Sequence, residues 1–177
     1  SNTQLGDVFF YYGTFAFLGY FLGALVTDKF QPKILIIISL VLTGTGGFVL
    51  LIDPSITHLK ILYGFWGLST ICLFWSPLIK STRFIGGNQN QGTAFGFLDG
   101  GRGLCAALVA SMGVLIFSRN HVAKLSEPYL LFQPIEQVII FYIFMTFTAA
   151  LFVFFFLPTI PNSTIKKSES KLSSRMQ

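Results

Sequence analysis

The chain has 177 residues, of which 53% are hydrophobic and only 11% charged, with 21 phenylalanines among them. A soluble domain carries about a quarter charged residues, so this composition excludes one and points to an integral membrane protein. The net charge of +5 is no nucleic-acid footprint, because the basic residues fall between apolar runs and in the tail, with no aromatic-interleaved basic stripe.

Five apolar runs reach the roughly 20 residues that a helix needs to cross a bilayer. They predict spans at Val8–Thr27, Ile34–Ile52, Leu59–Ile79, Thr93–Ser118 and Gln137–Leu157. None shows the alternation of a spanning β-barrel. The expected fold class is therefore all-α, a polytopic transmembrane helix bundle over residues 1–158 with a basic tail or central loop at 159–177.

The first span carries Gly19 and Gly23, a GxxxG step at which two helix backbones can approach closely in lipid. Tyr11 and Tyr12, near its outer end, are candidates for an interfacial aromatic belt. The connector Asp28–Lys33 reads as one tight turn with a proline, and Asp53–His58 as another. On the third span Tyr63 and Trp66 share a helical face, where they either pack or line a cavity. Trp75 and Pro77 lie near its cytoplasmic end, where a belt is the ordinary reading. Lys80–Gln91 and Arg119–Glu136 read as longer polar connectors, and Asn162–Gln177 is Ser/Lys-rich and expected to be disordered.

The fourth span is the informative one. Gly92, Gly96, Gly100, Gly103, Ala107 and Ser111 form a small-residue stripe on one face, which predicts that this face packs against protein. Asp99 and Arg102 sit about 60° apart in the middle of the same helix. Each costs roughly 2.5–3.5 kcal/mol to insert near the bilayer centre, so the pair calls for a partner, a polar cavity or a solute. Two readings stand side by side: an i, i+3 ion pair that locks helices, and a solute site in which the planar fork of Arg102 takes a carboxylate or phosphate.

Loop charge orients the bundle. One side holds Lys29, Lys33, Lys80, Arg83, Lys166, Lys167, Lys171 and Arg175, and the other Lys60, Arg119 and Lys124. The richer side is cytoplasmic by the positive-inside rule, which puts the tail inside and Ser1 outside. No signal peptide precedes the first run. A start outside the membrane leads to the expectation of a further helix upstream of Ser1. Cys72 and Cys105 fit no ligand spacing and read as small hydrophobes. His58 and His121, placed in outer loops, have no second ligand nearby. No P-loop, dinucleotide fingerprint or nucleophile–base set appears, and GGNQNQG at 86–92 lacks the lysine ending of a P-loop. No enzymatic role, metal or cofactor is expected.

The stretch GALVTDKFQPK, Gly23–Lys33, resembles the cytoplasmic loop signature of the major facilitator superfamily. Asp28 and Lys29 match the signature, and Lys33 keeps its later positive charge. Ala24 stands where its first glycine belongs, Gln31 replaces the second, and Pro32 replaces a basic residue. SNTQLGDVFFYYGTFAFLGYFLGALVTDKF is similar to the outer loop, second helix and signature loop of a bacterial permease. LYGFWGLSTICLFWSPLIKSTRF with QGTAFGFLDGGRGLCAAL resembles the fourth and fifth helices of a branch near sugar and organophosphate permeases. The resemblance covers about Ser1–Ser118 and implies helices two to six of an N-terminal half, with the first helix and the C-terminal half lying elsewhere. Many proton-coupled antiporters of that superfamily carry an arginine four residues before a glycine on the fourth helix; here Tyr63 stands four residues before Gly67.

The resemblance implies a secondary transporter of the bacterial inner membrane that moves a small anionic or sugar-like solute by alternating access. Arg102, Asp99, Tyr63 and Trp66 would form the solute site or its polar network, and Asp28, Lys29 and Lys33 a gating loop. The partners implied are membrane lipid, the solute and the remaining helices. The alternatives are a non-transporting membrane scaffold or assembly protein, and a half-transporter that pairs with itself.

Overall fold

Five helical segments, each long and apolar enough to cross a membrane, make up a computed structural model that describes residues 2–52, 55–126 and 133–160. They are α1 (Asn2–Lys29), α2 (Pro32–Ile52), a third span built of α3 (Ile56–Ser69), a π-helical turn (Thr70–Trp75) and α4 (Ser76–Gly86), then α5 (Gln91–Ser126) and α6 (Pro134–Phe156). No strand occurs among the described residues.

The helices outrun the apolar runs because hydropathy marks the hydrocarbon-crossing part only, and polar flanks remain helical beyond it. The Asp28–Lys33 turn shrinks to Phe30 and Gln31, since α1 continues through Lys29 and Pro32 opens α2, where its missing N–H is no loss. Most of the expected loop at Lys80–Gln91 is helix. α4 runs to Gly86 and ends at Gly87, whose φ of 55° favours glycine. The connector at Arg119–Glu136 is also shortened, with α5 helical to Ser126, so that His121 lies in a helix and not in a loop. The tail expected at 159–177 falls, beyond Ile160, outside the described residues. The third span starts at Ser55, whose hydroxyl accepts the His58 N–H, and α6 starts with a capping box in which the Gln133 N–H donates to Glu136 Oε2 at 2.8 Å.

Without a hydrophobic drive between helices in lipid, close packing holds such a bundle together. The largest interface joins α1 to α3. There the backbone of α1 lies directly on Gly67: a Cβ at that position would run into the Tyr12 carbonyl oxygen and stand 3.1 Å from the Ala16 nitrogen. Gly19 faces Ile71, and Gly23 faces Ser76 across the same seam. α2 packs on α6 in the same manner, with Gly44 against the Phe147 ring and Gly47 against Ile143. Ser39, buried, donates to the Ser69 carbonyl at 3.1 Å and ties α2 to the third span. Tyr12 is no belt residue: it is half-buried and shares a 3.3 Å hydrogen bond with Thr70 Oγ1.

The π turn has a local cause. Pro77 offers no N–H to the Leu73 carbonyl and its ring crowds that group. The preceding turn widens, and the Ser76 N–H and hydroxyl both reach back five residues to the Ile71 carbonyl. Relative to an uninterrupted α-helix, Trp75 is thereby rotated about the span axis.

α5 stands apart from this pattern. It touches α4 around Gly86 and Ala94 and α6 around Gly113 and Tyr142, and its middle is exposed. A Cβ at Gly92, Gly96, Gly100 or Gly103 would meet nothing within 4 Å. The packing expected of that stripe is therefore not made within the described residues, because no helix of the described bundle lies over it. Gly19 and Gly23 do pack as small residues between helices.

Candidate solute site and gate

The charges that break the apolar runs form three ion pairs among the described residues, each in a different place. At the N-terminal end of α1, Asp7 meets Lys60 at 2.8 Å, and the Lys60 ammonium lies 5.8 Å from the centre of the Tyr11 ring. At the other end, Lys80 Nζ donates to Asp28 Oδ1 at 2.9 Å and to the Thr27 carbonyl at 2.8 Å. Both pairs join α1 to the third span.

The Asp28–Lys80 contact gives the loop aspartate a partner that the sequence did not suggest. One ammonium satisfies a carboxylate and one of the C-terminal carbonyls of α1, which lack intrahelical donors. A cation at a helix C-terminus also suits the helix dipole. Lys33 points elsewhere, its ammonium 5.6 Å from the centre of the Phe154 ring. Lys29 is the last residue of α1. The expected gating residues thus do not act as one cluster, with Asp28 tied to Lys80 and Lys33 to Phe154.

The third pair is Asp99–Arg102. The guanidinium and carboxylate lie 3.2 Å apart, with side chains 60% and 61% exposed. Arg102 stands about 16 Å along α5, near the middle of a bilayer whose hydrocarbon is about 30 Å thick. Its guanidinium carbon lies 5.0 Å from the centre of the Trp75 ring, a cation–π contact that bridges α5 to the third span. Trp75, read from sequence as an interfacial belt residue, carries this contact from the end of the π turn. The sequence signal that could have found it is Pro77 two residues on.

Tyr63 and Trp66 do come together, with ring centres 5.4 Å apart, and Phe9 of α1 sets its ring edge-on to Tyr63 at 5.8 Å. The Trp66 indole N–H is buried near Gly46 and has no hydrogen-bond partner among the described residues. No hydrogen bond, ion pair or ring contact among the described residues joins this aromatic pair to Asp99 and Arg102. The four expected site residues therefore form two groups, eight residues of the third span separating Trp66 from Trp75. A shallow apolar groove between α2 and α3, lined by Leu42, Gly46, Leu62 and Phe65 and with His58 at one end, adjoins Trp66 through Gly46.

Among the described residues no three of His, Cys, Asp and Glu gather as metal ligands. What the Asp99–Arg102–Trp75 arrangement can do chemically is bind: it offers a held guanidinium fork, a carboxylate beside it and open space in front.

The inner membrane protein YqcE of Escherichia coli (strain K12) is 27% identical over 119 residues, and the inner membrane protein YihN of the same organism is 27% identical over 118. Each alignment covers 67% of this chain but only 28% of the relative, so the chain spans well under half the length of the curated proteins it matches. No solved structure matches the chain significantly. The profile of the Major Facilitator Superfamily matches residues 1–176, and with five membrane-spanning helices behind that match the chain belongs to the Major Facilitator Superfamily.

Proposed function

We propose that the protein acts in the inner membrane as a secondary transporter that moves a small anionic or sugar-like solute by alternating access. The observation that carries this reading is the Asp99–Arg102 pair. Two charges at mid-bilayer depth, each more than half exposed, are tolerable in a membrane only if water, solute or protein covers them. A central site between two rocking halves supplies that environment. The inner-membrane relatives and the superfamily membership support the same reading.

In this reading the chain supplies helices two to six of an N-terminal half, and the first helix and a second half complete the transporter. The open stripe on α5 supports this, because a glycine face left bare in lipid gains nothing. The Asp28 side is cytoplasmic by its excess of basic residues. Asp28 acts as the gate. Its carboxylate, held by Lys80 in the described conformation, is placed to cap the N-terminus of a helix from the opposite half when the cytoplasmic side closes.

The test is uptake by the complete protein in proteoliposomes, against labelled sugars, sugar phosphates and carboxylates, with Arg102→Ala alongside. Uptake of one solute that the inserted, folded variant loses is the expected result. Absence of uptake for the whole panel, with correct insertion, refutes the transporter reading and favours the scaffold.

A further inference from the structure

We propose that Trp75, Arg102 and Asp99 form a subsite for a hydroxycarboxylate, a monoanion with a hydroxyl beside its carboxylate. The inference rests on the transporter reading above and names the solute class of that same site.

The geometry fixes what Arg102 can offer. The Trp75 ring, 5.0 Å from the guanidinium carbon, covers one face of the fork. Asp99 Oδ1, 3.2 Å from one terminal nitrogen, holds one edge. A guanidinium carries five N–H donors in a rigid plane. Among the described residues it meets this one carboxylate and this one ring, so most of the fork faces outward. A planar carboxylate matches such a fork bidentately, and an ammonium in its place would not.

Asp99 narrows the choice. The ion pair reaches Arg102 through Oδ1, and an ionised carboxylate has two oxygens that accept and none that donates. The remaining oxygen accepts as well, and it suits a hydroxyl that donates. The same negative charge repels a second charge on the solute, which disfavours a dianionic phosphate ester. A neutral sugar is the weaker match for the opposite reason, since it offers no ionised acceptor to the guanidinium donors that Asp99 leaves unused. One negative charge with a neighbouring hydroxyl is what the pair complements.

Trp75 is here a positioning residue. The long arginine side chain leans towards the N-terminus of α5, the end that meets α4, and the ring catches it there. Trp75 lies five residues before Lys80, so the subsite opens on the cytoplasmic half of the membrane.

The experiment measures equilibrium binding to the complete protein in nanodiscs. The probes are D-gluconate, D-glucuronate and L-lactate, with hexanoate, D-glucose and glucose 6-phosphate as comparisons. At least one hydroxycarboxylate is expected to bind tenfold or more tighter than all three comparisons. Arg102→Lys should weaken it at least tenfold. Asp99→Asn should move the ratio of glucose 6-phosphate to hydroxycarboxylate affinity about tenfold towards the phosphate. Trp75→Leu should weaken binding several-fold and Trp75→Phe should restore most of it, which a merely structural role would not require; ligand-free melting of each variant reports folding. Binding of none of the three hydroxycarboxylates, equal binding of hexanoate or glucose, or an unchanged ratio in Asp99→Asn overturns the proposal. Parallel uptake separates the two readings. Uptake indifferent to all three positions overturns the subsite and leaves the transporter, whereas specific binding without uptake of any solute leaves the subsite and overturns the transporter.

Discussion

Replacing Gly67 by alanine tests whether the α1–α3 seam sets the stability of the bundle. The added Cβ collides with the Tyr12 carbonyl oxygen and comes within 3.1 Å of the Ala16 nitrogen, and both are backbone atoms that cannot swing aside. The two helices must separate or shear. Overpacking of this kind costs about 1–3 kcal/mol. Against it stands the better helix propensity of alanine, about 1 kcal/mol over glycine. The net expectation is a loss of up to about 2 kcal/mol, a factor of up to about 30 in the folded-to-unfolded ratio. For a chain of this size that lowers the melting midpoint by up to about 8 °C. Gly13→Ala, on α1, is the control, since its Cβ would meet nothing within 4 Å and the propensity gain stands alone. Thermal unfolding of this chain in detergent, followed by helical circular dichroism, reads both. Equal midpoints for the two variants would refute the argument that close backbone approach at Gly67 holds the seam.

Two further predictions bear on function. Lys80→Met takes a mostly buried ammonium away from the exposed Asp28 carboxylate and from the Thr27 carbonyl, so it should lower stability by about 1–3 kcal/mol, while in the complete protein it and Asp28→Asn should slow turnover more than they weaken solute binding; equal turnover with a several-fold worse binding constant counts against the gate. Cys105, exposed and three residues past Arg102, should react with a charged, membrane-impermeant thiosulfonate in the complete protein if the site is wet, whereas buried Cys72 should not; failure of Cys105 to react would argue that lipid or packed protein covers the pair.

Much of this architecture is legible in the sequence because a bilayer accepts few alternatives. Apolar runs of sufficient length had to be helices, and the glycines at 19 and 23 had to face a neighbour. What escaped depends on facts that local sequence does not carry. The π turn arises from Pro77 acting on a carbonyl one turn earlier, and Trp75, the last residue of that turn, is the one that meets Arg102. Tyr12 reads as a belt residue until α3 is laid against α1 and Thr70 arrives as its partner. The stripe on α5 reads as a packing face, yet no helix of the described bundle covers it, which local sequence could not say. Of the candidate site, the Asp99–Arg102 pair was readable from helical spacing, whereas Lys80, more than fifty residues from Asp28, was not.

The ion pairs at the two ends of α1 act as a ruler. Asp7 and Asp28 are 21 residues apart, about 31 Å of helix axis, and each is anchored to a lysine on the third span. Charges so placed resist entering hydrocarbon, so the distance between them sets the thickness of membrane that this part of the protein fits without distortion, close to the roughly 30 Å of a typical bilayer core. Because both rungs join the same two helices, a thinner bilayer cannot be met by tilting one of them alone. α1 and the third span must lean together as a single plank, and any change in membrane thickness is delivered to the arginine-bearing helix beside them as a change in angle.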